Sequence, residues 1–290
     1  MNEQSPRPAA KTGAFPDIKA EAEAEAEAEA AARIRTEKIS QALFDLPVCR
    51  NCGTGLVDDY CHACGQKKVS RLSSRHLREE AWEKLRWFEG GLVKSAVKVM
   101  LRPGVVAREF VFGQRKNHTH PLKLLLAAIV VLLLVIARTD YLGTDDETLS
   151  KAIELVRTYS KWSFSLGIVA VLIASNTVFW FRGGFNMVEH LVLATYTHFV
   201  ILVASIVNLT PLLWHSSPEA VAAHRAASAT YMGWVEAAIV FLAFGQFFAI
   251  NWRQQWWWPA LGAAVFYVAK EGLFYLYARA VIRIVMAQLS

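Results

Sequence analysis

The sequence predicts an all-α polytopic membrane protein: about five transmembrane helices, preceded by a small cytosolic ribbon and amphipathic juxtamembrane helices. Three observations predict it. All four cysteines of the 290-residue chain lie in residues 49–64, as Cys49-x2-Cys52 and Cys61-x2-Cys64. Beyond Pro121 come apolar runs of membrane-spanning length, whereas the chain before it is polar and charged. Between the two, from Lys67 to Lys123, stand fourteen Lys and Arg against five Asp and Glu.

Residues 1–46 read as a tail. Pro6, Pro8 and Pro16 punctuate it, and Glu and Ala alternate from Glu21 to Ala30. A period of two gives no apolar face on a 3.6-residue helix, so a solvated, partly helical spacer is expected. Residues 1–40 lack the apolar stretch of a secretory leader.

Residues 47–68 read as a zinc ribbon. Each C-x2-C-G turn aims two thiolates at one point, and the following Gly53 or Gly65 permits the tight backbone. The candidate ligands are Cys49, Cys52, Cys61 and Cys64, and the metal is structural Zn2+. Such thiolates must stay reduced, which places the ribbon in a cytosol. Two oxidised C-x-x-C pairs are the competing reading, disfavoured because no cysteine occurs elsewhere.

Residues 69–120 read as basic amphipathic helices lying along the membrane. Leu77, Ala81, Trp82, Leu85 and Phe88 form one stripe, residues 92–101 a second helix, and Pro103-Gly104 opens a third that Gly113 stops. Arg102, Arg108, Arg115 and Lys116 are the expected contacts to anionic headgroups. Leu, Val, Trp and Phe at helical spacing favour this over nucleic acid.

Residues 121–290 form the transmembrane part, with spans near 122–137, 163–181, 187–213, 229–250 and 259–281. Lys123 is placed to snorkel to the interface. Trp252, Trp256, Trp257 and Trp258 suit an interfacial belt. The loop at 138–162 holds Arg138, Lys151, Arg157 and Lys161, so orientation rests on the ribbon and the basic block rather than on loop charges.

Charges inside the spans are costly, and each is a candidate for function. The candidates are Glu189, Glu236, Lys270 and Glu271, joined by His190 and His198; Arg279 also falls within the fifth span. Glu189 and His190 share a helical face with Asn186, and His198 lies about 12 Å further along the same helix. One metal therefore cannot join the two histidines without ligands from another span. Lys270 and Glu271 point about 100° apart, so Lys270 is expected to meet Glu236 or Glu189 instead. Tyr267, Glu271 and Tyr275 share a face that suits a polar track.

Cys-x-Asn-Cys-Gly at Cys49, Asn51, Cys52 and Gly53, with Tyr60-Cys61-x-x-Cys64-Gly65-Gln66, resembles the opening of a bacterial inner-membrane family, domain of unknown function 3667. Arg102-Pro103-Gly104, Arg108-Glu109-Phe110, Gly113-x-Arg115-Lys116 and Pro121 are similar to its juxtamembrane segment, and Glu189-His190 with His198 to its third span. The likeness covers about residues 47–250. Tyr196 stands where relatives often carry another His, and this departure weakens the case for a metal cluster in the membrane. The resemblance implies a multi-pass inner-membrane protein with a cytosolic N-terminus, and no reaction.

No phosphate-binding glycine loop, His-Glu-x-x-His or Gly-x-Ser-x-Gly is present. The leading expectation is a membrane-anchored binding or regulatory module. Its ribbon would meet a cytosolic protein or headgroups through Arg50, Asn51, His62, Lys67 and Lys68. The alternatives are a small-solute or proton-coupled transporter, which with so few spans would need a homo-oligomer, and a membrane metalloenzyme.

Overall fold

The computed structural model describes residues 38–75, 77–79, 92–139, 141, 163–215 and 217–289. The Glu-Ala run, most of the first amphipathic stripe and the 142–162 loop lie outside them. Among the described residues the protein is helical, with no strand. Its elements are α1 (Ala42–Asp45), α2 (Leu92–Leu101), α3 (Pro103–Val111), α4 (Pro121–Thr139), α5 (Ser163–Phe179), α6 (Met187–Leu209), α7 (Pro218–Phe247), α8 (Trp252–Gln255) and α9 (Trp257–Leu289). A 3-10 turn, Thr210–Leu213, continues α6.

Five of these helices carry the apolar runs. Three are long and apolar enough to cross a membrane: α4, α6 with its 3-10 turn, and α7. Leu166–Phe179 of α5 is shorter but apolar. Along α4, Leu126, Val130, Val131, Leu133 and Leu134 are exposed. Such a face would drive aggregation in water and is the ordinary outer surface of a helix in lipid.

α6 is the central helix, packing on α4, α5, α7 and α3, while α9 closes the bundle against α5 and α7. Its start is fixed by a capping box. Asn186 Oδ1 accepts from the Glu189 N–H at 3.0 Å, and Glu189 Oε2 accepts from the Asn186 N–H at 2.7 Å. α7 begins at Pro218, with Ser217 as N-cap accepting from Ala220 N–H. Part of the stretch expected to link the third and fourth spans is therefore helix. Its Pro-Glu-Ala-Val-Ala-Ala opening favours helix without being apolar enough to read as membrane. α9 likewise runs on past residue 281.

The largest difference from the surface-lying expectation is α3. Eight of its nine residues are buried: Pro103, Gly104, Val106, Ala107, Arg108, Glu109, Phe110 and Val111. α3 packs against α6 and α7 instead of lying outside them. Gly104 makes that approach possible. A Cβ there would stand 2.0 Å from the Ala243 carbonyl oxygen and 2.7 Å from the Phe247 nitrogen. Gly104 N–H instead donates to Gln246 Oε1 at 3.0 Å. Lys123, expected to snorkel, is also buried at the start of α4.

α4, α6 and α9 begin, and α5 and α7 end, at the same end of the bundle as the cysteine ribbon. Asn186 Nδ2 donates to the Leu72 carbonyl at 3.0 Å, and Arg182 to Gln255 Oε1 at 2.7 Å. Trp180, Phe181, Trp252, Trp256 and Trp257 are exposed around this end, and Trp214 at the other. α6 spans about 34 Å between them, close to the ~30 Å of a hydrocarbon core.

Candidate functional site

The four cysteine sulfurs lie within 4.8 Å of one another. Cys49 and Cys64 Sγ are 3.6 Å apart, and Cys52 and Cys61 Sγ 3.5 Å. A tetrahedron with metal–sulfur bonds of about 2.3 Å has edges of about 3.8 Å, so the cage fits a tetrahedral metal ion. The turns that build it are equivalent. Gly53 N–H donates to Cys49 O and Gly65 N–H to Cys61 O, at 2.8 and 2.7 Å. The two glycines have φ of +80° and +70°, a conformation that disfavours other residues. Single bridges, Val48 to Gly55 and Tyr60 to Lys67, close each knuckle.

Without a metal the thiols differ. Burial pushes Cys49 up to about 12, and burial raises Cys64 as well. The Cys64 and Ala63 backbone N–H groups hold Cys61 down at about 6. A cation that binds thiolates would draw all four to the ionised state. Strong chelation is expected to unfold residues 47–68, because a segment this small has too little core of its own. Loss of amide chemical-shift dispersion on chelation checks this, and dispersion that survived would contradict it.

The ribbon is bonded to the bundle. Gln66 is buried, and its side chain serves three backbone groups. Its Nε2 donates to Gly113 O at 2.9 Å, and its Oε1 accepts from the N–H groups of Arg115 and Lys116 at 3.1 and 3.0 Å. Arg50 Nε donates to Phe112 O at 3.3 Å, and Lys116 Nζ donates to Cys64 O. The Arg115 guanidinium donates to Ser70 O at 2.7 Å. Gly113, at φ +98°, has Arg50 and Val69 where its Cβ would be, both at 2.9 Å.

This arrangement corrects the headgroup reading for two of the four basic residues. Arg108 and Arg115 are only 7% and 4% exposed, while Arg102 and Lys116 are exposed. Arg108 donates to Phe247 O at 2.8 Å and lies over the Phe112 ring. Its neighbour Glu109 contacts His118 Nε2 at 2.8 Å and Lys98 Nζ at 3.7 Å. Burial alone would raise the Glu109 carboxyl, but His118 and Lys98 hold it below its ordinary value.

Glu189 belongs to the same junction. It is fully buried, and Arg71 grips it with Nε to Oε1 at 2.8 Å and Nη2 to Oε2 at 3.0 Å. Arg71 Nη2 also donates to Gly184 O at 2.6 Å. The Glu189 hydrogen bond holds the Arg71 guanidinium further toward the charged form. His190, one residue on, is 1% exposed between Phe185 and Phe248, and neither ring nitrogen has a hydrogen-bond partner among the described residues.

Deeper in the bundle, His198, Glu236 and Lys270 line one cavity of about 180 Å³, with Ser205 and Gly167. Lys270 Nζ stands 2.5 Å from Glu236 Oε2. Glu189, His190 and Glu271 do not line it. Glu271, Tyr267 and Tyr275 are exposed on α9, away from it, so the polar track expected along that face does not line this cavity. The six intramembrane candidates thus divide into a structural cap at the ribbon end, a cavity group, and one outward carboxylate. The junction partners Arg71 and Gln66 had no role in the sequence reading. Gln66 was legible only as the last residue of a knuckle motif.

Residues 89–133 match the family model "Protein of unknown function (DUF3667)". The family resemblance read from the sequence holds over this segment. It covers α2, the buried α3, the loop that receives the ribbon and most of α4. Comparison with curated proteins and with solved structures finds no match.

Proposed function

We propose that the protein is a membrane-anchored binding module of the bacterial inner membrane, its ribbon held by one structural zinc and facing the cytosol. Four protein thiolates leave no open coordination position, which suits a rigid scaffold rather than a catalyst. The observation that carries the reading is the division of the ribbon into two faces. Arg50, Gln66 and the Cys64 carbonyl are bonded to the bundle, whereas Val57, Tyr60, His62, Lys67 and Lys68 remain exposed. Val57 is 89% and Tyr60 60% exposed, and a groove of about 380 Å³ is lined by Phe44, Asp45, Asp59, Lys67 and Lys68. An apolar and aromatic pair beside mixed charge suits a cytosolic protein partner. Arg50 is not available to that partner in the way the sequence suggested, because it holds the ribbon down.

Val57→Asp with Tyr60→Ala is expected to leave metal content and thermal stability unchanged and to lower recovery of cross-linked cytosolic partners at least tenfold. Unchanged recovery of every partner would remove the reading. A second reading, a small-solute or proton-coupled carrier, is favoured by the cavity that gathers His198, Glu236 and Lys270.

A further inference from the structure

Five helices meet at the cavity: α4 through Leu132, α5 through Gly167, α6 through His198 and Ser205, α7 through Glu236, and α9 through Lys270. Its depth follows from helix arithmetic. His198 lies about 16 Å into α6 from Met187, Glu236 about 16 Å from the end of α7, and Lys270 about 20 Å into α9. All three helix ends counted from are at the ribbon end, so the polar groups converge near the middle of a ~30 Å apolar slab.

The pocket is built around fixed side chains. A Cβ on Gly167 would stand 2.3 Å from His198 Cε1, so the absent side chain is the space the imidazole occupies. Glu236 and Lys270 hold one another at 2.5 Å, with side chains 12% and 18% exposed. Leu132, Ile201, Leu202, Phe266 and Phe274 complete an apolar wall. At roughly 30 Å³ per water, the volume suits a solute of roughly six to nine non-hydrogen atoms.

Charge selects among such solutes. The Glu236–Lys270 pair sums to zero, and at this depth an added unpaired charge is strongly disfavoured. A zwitterion alone brings two charges and leaves the sum at zero. Its ammonium meets the Glu236 carboxylate, its carboxylate meets Lys270, and its apolar part meets the Leu, Ile and Phe wall. We propose that the cavity between α4, α5, α6, α7 and α9 binds a small zwitterionic solute of the α-amino acid class. The proposal concerns equilibrium binding and deepens the carrier reading without requiring translocation, which a flux assay reads separately.

The test uses the full chain in nanodiscs and a panel of α-amino acids with apolar side chains, L-leucine among them. Each is compared with its amide, a cation, and its deaminated acid, an anion. At millimolar concentration at least one amino acid is expected to raise Tm by about 2–4 °C, and its amide and acid are not. Ser205→Leu fills the cavity while leaving the ion pair in place, and is expected to abolish the shift. Lys270→Met is expected to abolish it too. If no amino acid shifts Tm, if amide or acid does so equally, or if folded Ser205→Leu keeps the shift, the proposal is overturned.

Discussion

Glu189→Ala is expected to destabilise the protein by about 3–5 kcal/mol, because it strands a partly buried guanidinium and removes the reciprocal half of the capping box that starts the central helix. Glu189 accepts both Arg71 contacts and the Asn186 N–H, and it has no exposed surface. The arginine left behind would keep only the Gly184 carbonyl among these partners. Replacing both partners by apolar residues removes the stranded charge, so Arg71→Leu/Glu189→Leu should be closer to the parent than Glu189→Ala is, short by about the value of the lost Asn186 N–H hydrogen bond. Thermal unfolding in detergent measures both. A Glu189→Ala loss below about 1 kcal/mol would show that the junction contributes little.

Gly104→Ala should cost about 3 kcal/mol or more, the upper range for overpacking. An added methyl would meet the Ala243 carbonyl oxygen at 2.0 Å, and the Gln246 Cβ and the Phe247 nitrogen both at 2.7 Å. Two are backbone atoms and the third is fixed to the backbone, so none can rotate away. To accommodate the methyl, α3 would lift from α7, breaking Gly104 to Gln246 and Arg108 to Phe247. Because the ribbon rests on the loop after α3, proteolysis of residues 47–68 is expected to quicken in the same variant. Unchanged Tm and unchanged proteolysis would mean that α3 does not sit this close to α7.

These two changes lie where sequence reading was least informative, and the reason is physical. The cysteine cage is local, with all ligands within residues 49–64, and its spacing carries the geometry. Apolar length marks the helices because lipid demands it. The depth of α3 depends on contacts more than a hundred residues away, such as Arg108 with Phe247, and no pattern in 103–111 names those partners. Arg108, Glu109 and Arg115 made the segment look like a surface, although each charge is satisfied inside the fold. The Glu236–Lys270 contact was more accessible, since two opposite charges inside neighbouring spans have few other partners. The start of α7 was missed because apolarity marks lipid exposure, while Ser217 and Pro218 mark a helix start.

Ribbon and bundle form a continuous chain of bonds, from the cysteine cage through Gln66 and Arg50 to the loop after α3, then to α7 and α6. Metal occupancy should therefore be felt beyond the ribbon. Metal content per chain, measured in detergent-purified protein for the parent and for Cys49→Ser/Cys52→Ser, tests this account most directly. The account predicts one zinc per chain in the parent, none in the variant, and a lower Tm for the variant. Iron in place of zinc would overturn the assigned metal, and a parent without metal, or a metal that persists in the variant, would contradict a structural cage of four thiolates.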